Sequence, residues 1–148
     1  MIPKSVVVDA SVLIASVTAR EAGHLLARRF VGACTALGLS IFVPVIALAE
    51  FSGGLSRTGR SAEQIKAFLA IYRSQAEFTV VPIGIELGDE AVSIATVQRV
   101  KGCDAIYLAL ARDLTLPLVT LDREQQDRAP ADVEVCTPEQ ALAKWWPS

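Results

Sequence analysis

Three acidic residues of this 148-residue chain stand alone in apolar stretches: Asp9 in VVVDASVLIA, Glu50 in PVIALAEF and Asp104 in GCDAIYLALA. A fourth, Asp122, closes the apolar segment LPLVTLD. An unpaired ionised carboxylate is costly in such surroundings. Carboxylates packed together repel, and without a cation at least one must have its pKa raised. Hard divalent cations bound by oxygen ligands resolve both costs, which points to Mg²⁺ or Mn²⁺. One His and three scattered Cys offer no competing zinc set. Two such ions could activate water and stabilise a leaving oxygen in phosphodiester hydrolysis.

The four acids can act together only if the fold brings them to one place. Five short runs without polar alternation read as strands covered on both faces: Ser5–Val8, Ser40–Val43, Phe78–Val81, Leu118–Leu121 and Val133–Val135. Helical stretches lie between most of them, over Ala10–Val17, Glu21–Leu37, Ala62–Gln75, Glu86–Val100 and Ala105–Arg112. Another starts with Pro44 in its first turn and runs to about Leu55. Ser61 with Gln64 makes a capping box, Asp104 reads as an N-cap, and Thr137-Pro138-Glu139-Gln140 opens the last helix. Gly53-Gly54 and Arg57–Arg60 mark a flexible, basic turn. The alternation predicts an α/β domain with a mostly parallel sheet, residues 1–148 forming one domain.

Sites in open parallel sheets gather at the carboxyl ends of the strands. Asp9 directly follows the first strand and Asp122 the fourth. A helix packed on a parallel sheet runs antiparallel to its strands, so Asp104 at a helix start shares that edge. Glu50, about two turns into the helix leaving the second strand, does too. Taken singly, each acid has a plainer explanation. Asp9 and Asp104 could simply cap helices, Glu50 could be a half-exposed helix residue, and Asp122 could belong to a turn. Their coincidence at one rim is what those explanations leave out.

Lys+Arg number 14 against Asp+Glu 16, so the net charge of -2 excludes a protein that holds nucleic acid by bulk electrostatics. Any such contact must use local arginines or bound cations. The odd, widely spaced cysteines Cys34, Cys103 and Cys136 suit a reducing compartment, and the cytoplasm is expected. The longest uncharged apolar run, Ala36 to Ala49, contains Pro44 and falls short of the roughly 20 residues a spanning helix needs, so no membrane is implied. His24 reads as a surface helix residue. Tyr107, Trp145 and Trp146 read as core or interface. Ser11 has no histidine placed to make it a nucleophile.

The segments VVVDASVLIA, VPVIALAEF, GCDAIYLALA and LPLVTLD, in that order, resemble the PIN domain family and, more closely, the VapC-type toxins of bacterial toxin–antitoxin pairs. The resemblance implies a three-layer α/β/α sandwich with Mg²⁺ or Mn²⁺ held by Asp9, Glu50, Asp104 and Asp122. It implies support of the metal shell by Ser11 and Thr120, and suggests Arg57, Arg60 and Arg123 as phosphate contacts. The implied activity is endonucleolytic cleavage of structured RNA. The implied partners are an antitoxin protein lying across the acidic pocket and a second copy of the chain in a homodimer. Two other readings are a non-toxin PIN nuclease in RNA processing, and a catalytically idle module that uses the scaffold to bind a partner.

Overall fold

The computed structural model describes residues 1–148. Strand β1 (Ser5–Val8) leads into α1 (Ala10–Val17) and α2 (His24–Ala36). Strand β2 (Ser40–Pro44) is followed by α3 (Ile46–Arg57) and α4 (Ala62–Ser74). Strand β3 (Phe78–Val81) precedes α5 (Ile85–Gln98) and α6 (Gly102–Leu114). Then come β4 (Leu118–Val119), α7 (Arg123–Asp127), β5 (Val135–Cys136) and α8 (Pro138–Trp145).

All strand pairs are parallel, in the order β3-β2-β1-β4-β5. The chain steps outward from β1 to β3, then crosses back to β4 and continues to β5. Right-handed crossovers therefore place α1–α4 on one face and α5–α7 on the other. Helix α8 returns to the first face against α2, and α5 packs on α6. The result is a three-layer α/β/α sandwich. No helix is long and apolar enough to cross a membrane. Val6, Val7 and Val8 are wholly buried, as a central strand covered by helices on both faces requires.

The direction of travel reverses between β1 and β4, and such a switch point leaves a crevice at the carboxyl ends of the two strands. Val8 pairs with Val119, and the Asp9 amide donates to the Val119 carbonyl at 3.0 Å. Asp9 and Thr120 thus emerge side by side at that crevice.

Several boundaries differ from the sequence reading for physical reasons. Pro44 ends β2 opposite Val81 rather than opening a helix, because the Val45 amide still donates to the Val81 carbonyl. Helix α3 begins only at Ile46, so Glu50 lies about one turn in, not two. Strand β4 stops at Val119, since the Thr120 hydroxyl accepts the Asp122 amide at 3.0 Å and turns the chain. Val133 donates to the Pro130 carbonyl in a turn, so β5 starts at Val135. Gly53 and Gly54 are interior to α3 and form no turn. A Cβ on Gly54 would sit 2.5 Å from Ile14 Cδ1, so this glycine lets α1 and α3 approach closely. The capping boxes at Ser61–Gln64 and Thr137–Gln140 are both present.

Candidate active site

Each acid reaches the crevice from its own element. Asp9 follows β1 and caps α1, its Oδ2 accepting from the Ser11 amide at 2.9 Å. Asp122 follows β4 and caps α7, its Oδ1 accepting from the Gln125 amide at 2.9 Å. Glu50 projects from the second turn of α3. Asp104 is the third residue of α6, whose N-cap is Lys101, so it does not cap that helix as the sequence suggested. With Gly102 able to open the helix, the Asp104 carboxylate is free to face outward.

All four line one cavity of about 440 Å³, together with Ser11, Ile14, Gly53 and Arg57. That volume holds several waters or a phosphodiester with a hydrated ion, a water occupying about 30 Å³. A larger hollow of about 650 Å³ at the opposite edge of the sheet has Lys4 as its single charged side chain and carries no comparable chemistry.

None of the four acids enters an ion pair; the pairs present join Arg112 to Glu90 and Asp132, Arg128 to Glu124, and Lys144 to Glu134. Their proton affinities show the strain of that arrangement. Burial raises the Asp9 pKa, and Asp122 adds to it, against hydrogen bonds from Ser11 and Gln125. Burial also raises Glu50, helped by the charge of Asp9 and opposed by the Tyr107 hydrogen bond. Asp104 is pushed up to about 6, first by burial and then by Asp122, Asp9 and Glu50, with Lys101 opposing.

Around the acids runs a shell of neutral donors. Ser11 Oγ accepts from the Leu121 amide at 3.1 Å and lies 3.5 Å from Thr120 Oγ1, tying α1 to the end of β4. Thr120, fully buried, bonds Gln125 Oε1 at 2.6 Å.

Two members of this shell escaped the sequence reading. Tyr107 donates to Glu50 Oε1 at 2.7 Å and accepts from the Ala10 amide at 3.3 Å. Gln125 Nε2 donates to Asp9 Oδ1 at 3.1 Å and, at 3.4 Å, to the Asp104 carbonyl. A signal existed for Tyr107: it stands three residues after Asp104, hence on the same helix face, and a buried Tyr hydroxyl needs a partner. Gln125, inside the polar run REQQD, gave none.

Tyr107→Phe removes one hydrogen bond to a charged acceptor and leaves the buried Ala10 amide unpaired. It is expected to cost about 1–2 kcal/mol of stability. Release of Glu50 should also slow catalysis about tenfold, by analogy with other supporting groups. Thermal melts and single-turnover rates check both figures.

Of the three suggested arginines, Arg57 alone lines the cavity. Arg60 is committed elsewhere, donating to the Val17 carbonyl at 2.6 Å with its guanidinium over the Phe68 ring. Arg123 is exposed at the start of α7, outside the lining. His24 is half-buried and bonds the Ala15 carbonyl at 2.7 Å, and Trp145 and Trp146 pack against Phe30.

The family model for the PIN domain matches residues 6–131. The chain belongs to the PIN domain family. PIN domains are a family of nucleases, so membership carries a hydrolytic function in its coarse form. None of the curated proteins compared with this PIN domain matches it. Several solved structures share its fold. One is VapC20 of Mycobacterium tuberculosis, a toxin that cleaves the sarcin–ricin loop. It is 18% identical, covers 87% of this chain and 98% of its own, and has a TM-score of 0.72. Another is VapBC2 of Rickettsia felis, bound to a DNA fragment from its promoter, at 14% identity, 90% and 98% coverage and TM-score 0.68. A third is FitAcB of Neisseria gonorrhoeae, at 16% identity, 90% and 98% coverage and TM-score 0.67. At such identities the likeness is one of fold.

Proposed function

We propose that this PIN domain is a divalent-metal-dependent endoribonuclease, the toxin of a toxin–antitoxin pair, formed by residues 1–148 as one domain. The observation that carries the reading is the convergence of Asp9, Glu50, Asp104 and Asp122 on one cavity with no basic partner among them.

The donor set fits a hard cation: four carboxylates, no thiolate or imidazole, and neighbouring charges that no salt bridge neutralises. No three of these side chains close into a ready-made chelate. Mg²⁺ does not need one, since it keeps several waters and takes one or two carboxylates directly. Asp9, Glu50, Asp104 and Asp122 would hold it, with Mn²⁺ as a substitute. When bound, the ion supplies an activated water and charge neutralisation at the phosphate.

The chain's own residues divide the remaining work. Ser11 and Gln125 orient Asp9, Tyr107 orients Glu50, and the Gln125 amide orients Asp122. Asp104 contributes to this network only through its backbone carbonyl, so its carboxylate is left free to take the cation. Arg57, which lines the cavity, is the candidate for a flanking phosphate, and exposed Arg123 for a second.

An acidic cavity beside so few cations favours a partner that brings its own positive charge, which an antitoxin segment could supply. The geometry-independent expectations are a homodimer and a cytoplasmic location, the latter suited to three unpaired thiols.

The test is purified protein on total RNA, with cleavage sites mapped by 5′-end sequencing. A small set of sites cut with Mn²⁺ and none with chelator is expected. Cutting that survives chelation would overturn the metal mechanism. Neither cutting nor Mn²⁺ binding would leave an interaction module.

A further inference from the structure

We infer that Gln125 is a positioning residue that aims the Asp9 carboxylate into the cavity and locks three of the four acid-bearing elements of that edge to one another. The inference rests on the nuclease reading above.

Gln125 is fully buried, which is unusual for a neutral amide in a five-residue surface helix. Its side chain has both ends occupied, and the network settles which end faces which way. Asp9 Oδ1 and the Asp104 carbonyl at one end of the amide are both acceptors, so Oε1 faces Thr120 and accepts its hydroxyl proton at 2.6 Å. Nε2 must then point the other way, at Asp9 Oδ1 and the Asp104 carbonyl. The backbone amide of the same residue holds Asp122 Oδ1. One residue therefore touches the loop after β1, the loop after β4 and the first turn of α6.

The consequence for Asp9 is directional. An ionised carboxylate offers about four lone-pair sites. Gln125 takes one on Oδ1 and the Ser11 amide one on Oδ2, leaving the others to face the cavity. A neutral donor suits this position, because a cation would compete with the divalent ion and an acid would add to the repulsion.

The experiment compares wild type, Gln125→Met, Gln125→Asn and Asp9→Asn by calorimetric titration with Mn²⁺ and by steady-state cleavage of the RNA. Met matches Gln in length without its polar atoms. Asn keeps the amide but is one methylene too short to bridge Thr120 and Asp9. Loss of such a supporting contact typically costs roughly 10–100-fold in metal affinity. That loss is expected for Gln125→Met, with a lower kcat and an unchanged RNA KM, because Gln125 touches no substrate. Gln125→Asn should weaken Mn²⁺ at least about tenfold, and decides the matter if the Met variant does not fold. A folded variant whose Mn²⁺ affinity stays within threefold of wild type overturns the inference. The controls report separately: a wild type that neither binds Mn²⁺ nor cleaves RNA means the nuclease reading has failed, whatever Gln125 does, and an Asp9→Asn variant that binds and cleaves normally overturns the inference by removing Asp9 from the site.

Discussion

Asp104→Asn is expected to lower single-turnover RNA cleavage at least about a thousandfold, some 4 kcal/mol of transition-state stabilisation, while leaving the protein folded and harder to melt. Two features of the site produce this opposition. Asp104 is the acid whose carboxyl no hydrogen bond in the fold holds, and that carboxyl, pushed up to about 6, answers to burial and three like charges. An amide of the same shape keeps the packing but binds a hard cation poorly. The same exchange removes a charge the metal-free fold is strained to carry, so function and stability move in opposite directions. Cleavage within tenfold of wild type, in protein shown to be folded by its melt, would remove Asp104 from the mechanism.

The order and type of the elements were legible in the sequence because the buried strands and capped helices announce themselves. VVVD reads as a covered strand ending in a carboxylate, and Ser61–Gln64 and Thr137–Gln140 are capping signatures that the fold realises. The rim shared by the four acids was legible as well, since parallel topology alone sends strand ends and helix starts to one edge. Their exact settings were not. Asp104 looked like a cap because an acid before an apolar run usually is one, yet Gly102 allows the helix to begin earlier and turns the acid into a first-turn residue facing the cavity. Gln125 illustrates the deeper limit. Its burial depends on α7 packing against α6 and β5, a tertiary fact that no local pattern in REQQD encodes. Arg60 shows the converse: its type suited phosphate, and only the packing of α1 and α4 reveals that its guanidinium is held by the Val17 carbonyl and the Phe68 ring.

The last expectation concerns the metal-free protein, which should become more stable as the solution is acidified from pH 7.5 to pH 5. The sign follows from linkage. Asp9, Glu50 and Asp104 all have pKa values raised by folding, so the folded state binds more protons than the unfolded chain between the two values. For Asp104 the window runs from its ordinary 3.8 to about 6: the stabilisation is complete below the first and lost as pH rises through the second. After discounting for a half-exposed carboxyl, Asp104 alone contributes about 1 kcal/mol at pH 5, or about 3 °C in Tm. Saturating Mn²⁺ at pH 7.5 should do more, since a ligand at a hundred times its Kd adds about 2.7 kcal/mol, or about 8 °C. Acid and metal neutralise the same repulsion, so their effects should not add: Mn²⁺ should shift the melt far less at pH 5 than at pH 7.5. Asp104→Asn, already relieved of its charge, should show a smaller acid gain and a smaller metal shift than wild type. Equal Mn²⁺ shifts at the two pH values, or an acid gain unchanged in Asp104→Asn, would mean that these carboxylates do not share one electrostatic site.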